Sequence, residues 1–449
     1  MGEGGLDVRL RSAVRGGDAE AVRDLLDRGA DPDTVDVDGF PVLCGAVAAY
    51  DEPVAEALVE GGADPDRVLP DGTTPLWRAI DGGSLAVFSA VLGNEPRLRL
   101  SEAAREGLLA LARGWYEVGP AEELRRRTGA PGPAATIRVQ DGEYNWVDQV
   151  SLGGLVVRAG HGAILTSLEW AFRILTPVDE LIARAIEPRD EEHVNWSEVC
   201  WVLTQRRSFE TWSAVVAHRH DPDPMHRRFV MDYLRMRGIL DTSPYYEKKV
   251  SELLATWAAE ETEEEMLAKV FDTFTEYDHP DQEAIGLRYA DHPDPRIRRK
   301  VPYALTANYV CRTPAAKAAL LTLMRDPDAE VRLTACTASM RDDDLLPEIT
   351  SALLLLTEDP DTDLRGTAAT ALADSRDRGP AIADALAALL SDDNQLVRLA
   401  AAYGLALRDD PRTAEVIEKV GPLGEGFEHD HRADELWRWK WRKENSTNE

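Results

Sequence analysis

The chain has 449 residues, 44% of them hydrophobic, and a formal net charge of −30 from 81 acidic and 51 basic side chains. This length exceeds what one compact core supports and calls for several units or an elongated stack, while the apolar content excludes a disordered chain. Such acidity disfavours unspecific binding to nucleic acid or to an anionic membrane surface unless a local segment reverses the sign.

The four cysteines, Cys44, Cys200, Cys311 and Cys336, are far apart and form no C-x-x-C pair. They read as free buried thiols of a reducing compartment, not as a disulfide or zinc framework. The opening "MGEGGLDVRLRSAV" lacks the apolar core of a secretion signal, and no stretch approaches the roughly 20 apolar residues of a membrane helix. A soluble, cytoplasmic protein without membrane contact is expected.

Three phrases open the chain: "LDVRLRSAVRGGDAEAVRDLLDRGADPD" from Leu6, "DGFPVLCGAVAAYDEPVAEALVEGGADPD" from Asp38 and "DGTTPLWRAIDGGSLAVFSAVLGNEP" from Asp71. Gly29 and Gly62 lie 33 residues apart, as do Asp38 and Asp71. Each phrase predicts a short helix, a polar break, a longer helix and a glycine stop. Asp-Gly supplies a turn where positive φ is cheap, and Thr74-Pro75 starts a helix. A helix pair this small cannot bury its own apolar face, so stacking must complete the core.

These residues resemble ankyrin repeats, best in "DGTTPLWRA" and less closely in "DGFPVLCGA". The family's histidine, which ties neighbouring repeats, is replaced in turn by Arg11, Cys44 and Trp77. Trp77 and Arg78 are the candidate partner contacts on the inner helix, although the position of Trp77 also suits a filler between repeats. The stretch from Ser101 to Gly129 reads as a capping helix pair, which gives an ankyrin domain over residues 1–130.

A breaker cluster, "APGPAAT", then opens a small β-like insert over 131–161, with a hairpin turn expected at Asp141-Gly142. The Gly-His-Gly step at His161 can present backbone N–H groups to an anion, but no phosphate-loop spacing follows. A tight turn packing the hairpin on the next helix is the favoured reading.

Residues 162–425 read as helix after helix, with a recurring phrase: "DPDPMHR" from Asp221, "HPDPRIR" from His292, "DPDAEVR" from Asp326, "DPDTDLR" from Asp359 and "DDNQLVR" from Asp392. Its arginines, Arg227, Arg298, Arg332, Arg365 and Arg398, are spaced by 71, 34, 33 and 33 residues. A degenerate repeat over about 246–290 would fill the first interval. An Asp that caps a helix, an Ala-rich face and a bulky second helix make one layer of an α-solenoid. This pattern resembles HEAT repeats of the short bacterial type, and the resemblance implies a structural Asp–Arg ladder inside the stack.

Chemistry is sparse. His218, His220 and His226 gather near one turn with Asp221 and Asp223, but the spacing matches no helical or C-x-x-C zinc pattern. The pair His429 and His431 is no stronger. No nucleophile elbow or Walker loop occurs. The segment "ELWRWKWRK" in residues 426–449 holds Trp437, Trp439 and Trp441, and reads as a capping helix or as a tail docking on an anionic surface.

The expectation is a mostly all-α protein of two α-solenoids, an ankyrin-repeat stack followed by a HEAT-repeat stack, with the β-hairpin-like insert between them. It is expected to be a non-catalytic scaffold or adaptor without cofactor or metal. Its acidity favours a basic protein or peptide partner over nucleic acid. The alternative is a peptide- or small-molecule-modifying enzyme, or its substrate-presenting subunit, with a cluster around His161, His218 and the stretch from Trp196 to Trp212. Nucleic-acid binding through the C-terminal tail is a third reading.

Overall fold

Helices account for most of the chain, as their caps and apolar spacing dictate. The computed structural model describes residues 3–307, 310–311, 313–424, 427 and 430–446. His429 and the side chain of Cys311 lie outside the described residues. The chain divides into two compact units, Met1–Asp241 and Thr242–Glu449.

The first unit opens with three helix pairs: Glu3–Gly16 with Ala19–Asp27, Val42–Ala49 with Glu52–Glu60, and Pro75–Gly82 with Leu85–Leu92. Side chains satisfy the first backbone donors: Asp18 accepts from the Ala21 amide, Asp51 from Val54, and Thr74 from Trp77. The turns between pairs carry Gly39 and Gly72 at φ of 86° and 83°, where a side chain would be strained. Leu10, Val22, Leu43, Val54, Leu58, Leu76, Ile80 and Phe88 are buried in one continuous core, so each pair closes its neighbour.

Helices Glu102–Val118 and Pro120–Thr128 follow. A three-stranded antiparallel sheet comes next, made of β1 (Ala135–Gln140), β2 (Trp146–Leu152) and β3 (Leu155–Arg158). Gln140 pairs with Trp146 at one turn and Leu152 with Leu155 at the other. The sheet does not interrupt the unit. Val150, Leu152 and Val157 pack with Trp115 and Leu124 in a satellite core, and Ile164, Leu165 and Leu168 of helix His161–Ala171 enter the main core beside Leu76 and Phe88. Helices Val178–Ile186, Val194–Gln205, Phe209–Ala217 and Pro224–Leu240 complete it. The compact division therefore falls after Asp241, although the sequence marks its strongest breaker cluster near residue 131.

In the second unit the repeating phrase starts helices. Asp294, Asp328, Asp361 and Asn394 each accept backbone N–H groups of the helix they precede. Small side chains cover one layer, with Ala368, Ala369, Ala401 and Ala402 buried, while Leu320, Leu353, Leu356, Ile382 and Leu386 supply the bulk. A Cβ at Gly404 would lie 2.9 Å from the Ala373 Cβ, so helices Thr362–Asp374 and Gln395–Leu407 meet at that contact because glycine leaves room. Two-residue strands β4 (Thr306–Ala307) and β5 (Val310–Cys311) form an antiparallel pair.

Candidate functional site

A groove of about 470 Å³ is lined by Cys44, Tyr50, Trp77 and Arg78 of the 33-residue repeats and by Leu155 and Val156 of β3. Arg78 is held in place, donating to the Asp71 carboxylate at 2.7 Å and to the Thr73 hydroxyl at 3.2 Å, with its guanidinium 4.5 Å from the centre of the Phe40 ring. Hydrogen bonds from the Thr73 hydroxyl and amide hold the Asp71 carboxyl down at about 2. Trp77 is half-buried against the core, and Leu155 and Val156 are each 45% exposed. Burial pushes the Cys44 thiol up to about 11, which makes it a neutral thiol and not a nucleophile at neutral pH.

One wall of this groove depends on the join between repeats and sheet. Asp141, at the β1–β2 turn, is 2% exposed. Its carboxylate accepts from the Leu85 amide at 2.8 Å, from the Ala86 amide at 3.3 Å, and from Ser84 and Arg158. The insert thus contributes an acid to the N-terminus of a repeat helix, where orphan donors and the dipole favour it. Gly83 takes φ of 74°, and a Cβ there would lie 1.9 Å from the Arg158 carbonyl oxygen and 2.4 Å from His161 Cε1. The Gly160 amide donates to the Gly83 carbonyl at 3.0 Å.

His161 begins its helix and is 1% exposed. Its ring stacks on Trp115 with centroids 4.7 Å apart, and Arg127 lies over the same indole at 4.3 Å. Asp81 ties the stack together, accepting from Trp115 Nε1 at 2.8 Å and from Arg127 at 2.9 Å. Neither ring nitrogen of His161 finds a hydrogen-bond partner among the described residues. Burial, outweighing the attraction of Asp81, lowers its pKa to about 4.

The repeat arginines share one geometry. Arg298 holds the Asp326 carboxylate through two bonds of 2.7 Å and also donates to the carbonyls of His292 and Pro293. Arg365 does the same with Asp392, at 2.8 and 3.2 Å, and with the carbonyls of Asp359 and Pro360. Arg332 bonds the carbonyls of Asp326 and Pro327, with the Asp359 carboxylate 3.7 Å away. Among the described residues Arg398 meets carbonyls, those of Asp392, Asp393 and Val420. Arg227 donates to the Asp221 carbonyl at 3.0 Å in the first unit. Each arginine thus clips its own turn, and the middle three also reach the next repeat's acid.

Helix His431–Ser446 separates the three tail tryptophans. Trp439 is 6% exposed and donates to Asp409 at 2.9 Å, and Lys443 bonds the same carboxylate at 3.0 Å. Trp437 and Trp441, one helical turn apart, are 66% and 56% exposed. Trp439 thus covers the preceding repeat and is not available to a partner in this fold.

The residues of the expected enzyme cluster occupy different settings. His161 sits in the join, while His218 belongs to a separate group. Trp196 is 3% exposed and bonds Asp232 at 2.9 Å. His218, Asp221 and His226 do come together, because the turn after His220 folds the start of helix Pro224–Leu240 back on His218. A helix-face criterion applied to the sequence missed that meeting. It also missed the buried Glu169–Arg184 pair at 3.0 Å, whose Glu169 also accepts from Thr176 at 2.7 Å.

In the second unit a cavity of about 1010 Å³ is bordered by Glu247, Glu252, Glu276 and Asp278, with Lys248 and Tyr277 beside them. Its acids outnumber its single lysine.

Among the described residues no helix is long and apolar enough to cross a membrane. Comparison with known proteins locates the repeats. Residues 10–100 match the model of ankyrin repeats, three copies, and residues 349–421 match the model of HEAT repeats. No curated protein matches the chain. The X-ray structure of YIBA_ECOLI is similar at 16% identity over 55% of this chain and 93% of that one, with a TM-score of 0.40. The chain therefore carries ankyrin repeats over residues 10–100 and HEAT repeats over residues 349–421.

Proposed function

We propose that the protein is a non-catalytic, cytoplasmic scaffold or adaptor that binds a protein or peptide partner, with the groove at Trp77 and Arg78 as its principal contact. Ankyrin and HEAT repeats are in general protein-interaction modules. The observation that carries the reading is the groove itself, where a half-buried indole, an immobilised guanidinium and the exposed Leu155 and Val156 share one concavity. Aromatic and arginine anchors beside apolar walls are what interface hot spots use. The acid-bordered cavity in the second unit favours a lysine- or arginine-rich partner segment, and Trp437 with Trp441 offers a lesser surface.

The test is an affinity capture from lysate of the protein's own source at two salt concentrations, comparing the unaltered chain with a Trp77→Ala/Arg78→Ala variant. One partner should be retained at both salts, and the variant, with an unchanged circular dichroism spectrum, should bind it about tenfold or more weakly. Retention of nothing, or of nucleic acid at low salt only, would overturn the proposal.

A further inference from the structure

We propose that His218, Asp221 and His226 bind a divalent transition-metal ion, zinc by donor chemistry, with Asp179 as the outer carboxylate that orients His218. One ligand atom from each of the three residues can be chosen so that all lie within 4.8 Å of one another. Asp221 bridges the pair: one carboxylate oxygen is 3.9 Å from His218 Nδ1, and the other is 3.5 Å from His226 Nδ1. Donors about 2 Å from a tetrahedral zinc stand roughly 3.3 Å apart, so the set closes when donor separations shorten by about 1.5 Å or less.

The placement of the side chains suits a cation. His218 Nε2 lies 3.1 Å from an Asp179 carboxylate oxygen, which places the ring proton on that nitrogen. In the neutral ring the Nδ1 lone pair then lies toward Asp221. A carboxylate on the far nitrogen of an imidazole is the arrangement that fixes the tautomer of metal-binding histidines and raises their basicity. Among the described residues His226 Nδ1 finds no hydrogen-bond partner, and the Asp221 carboxylate that it faces lies 3.5 Å away. The rings of His218 and His226 stack at 5.1 Å and 12°, so they approach the carboxylate as a pair.

Neighbouring Asp223, Arg219 and Arg227 are engaged elsewhere. Asp223 accepts from the Met225 amide at 3.0 Å and pairs with Arg189 at 2.9 Å, which leaves it out of the donor set. Arg219 donates to the Val216 carbonyl at 3.1 Å, and Arg227 holds the Asp221 backbone. The side chains of His218, Asp221 and His226 are 17%, 28% and 20% exposed, so an ion can enter from solvent. Two imidazoles and a carboxylate, with no thiolate, suit zinc and its first-row neighbours and not calcium or magnesium. Three protein donors leave one tetrahedral position for water.

The test is calorimetric titration of zinc chloride into the chelator-stripped full chain. One site with a Kd of about 1 μM or tighter is expected, together with a zinc-dependent rise in Tm. His218→Ala and His226→Ala should each weaken that site a hundredfold or more. Asp179→Asn, which removes no donor, should weaken it about tenfold to a hundredfold at unchanged stoichiometry. His218→Gln with a native circular dichroism spectrum replaces any alanine variant that fails to fold. Cobalt in the same site should give a spectrum free of thiolate charge transfer. Absence of a site tighter than about 100 μM, tight binding that survives both histidine substitutions, or indifference to Asp179→Asn would overturn the proposal.

Discussion

His161 lies against the Trp115 ring, 1% exposed, with its pKa lowered from 6.5 to about 4 because burial penalises the charged form. Between those two values the unfolded chain binds a proton that the folded chain refuses. The contribution of His161 is therefore whole above pH 6.5 and is lost as pH falls toward 4, an effect of about 3 kcal/mol. His161→Phe keeps the stack and removes the titration. Urea unfolding of both chains at pH 7 and pH 4.5 checks this: the variant should lose less stability across the interval. Equal losses would mean that the ring is not held neutral in the native state.

At the scale of the element, the repeat turn behaves as a clip with one optional arm. Arg298 is 12% exposed at its side chain, and its bidentate hold on Asp326 raises its own pKa further. Its replacement strands a carboxylate that is 8% exposed, which is more damaging than losing bonds to carbonyls. Arg398, by contrast, ends the series on carbonyls. Arg298→Ala should cost about 2 kcal/mol, and Arg398→Ala about half of that. Denaturant midpoints of the two variants decide the matter, and an Arg398→Ala loss as large as that of Arg298→Ala would deny the carboxylate any special part. The periodic Asp and Arg made these residues legible in the sequence. Which arginines grip the next repeat's acid was not, because that depends on where the following turn is placed.

For the whole molecule, the compact division after Asp241 has a proteolytic consequence. Limited digestion should release a fragment ending near residue 241 and spare the 131–161 segment, which Asp141 and the Trp115 stack fasten to the repeats. Asp141→Ala should expose that segment to cleavage, because it leaves Arg158 without its carboxylate and the Leu85 amide without its cap, a loss of about 2 kcal/mol. A fragment ending near residue 130 in the unaltered chain would place the working boundary at the breaker cluster instead.

The sequence by itself determined the repeats, since a period of 33 residues with fixed turn and cap chemistry is local information: Gly39, Gly72, Thr74 and Asp361 each act on backbone within a few positions. It also brought Trp77 and Arg78 into view, because their place in the repeat phrase fixes the helix they occupy. Only the tertiary structure decided the rest. Asp141 reaches Leu85 across 56 residues, Asp179 reaches His218 across 39, and Trp439 turns onto Asp409 across 30. Such contacts carry no period and no motif. They arise where non-repeating segments must satisfy buried donors, acceptors and apolar faces with whatever the stacked helices bring within reach.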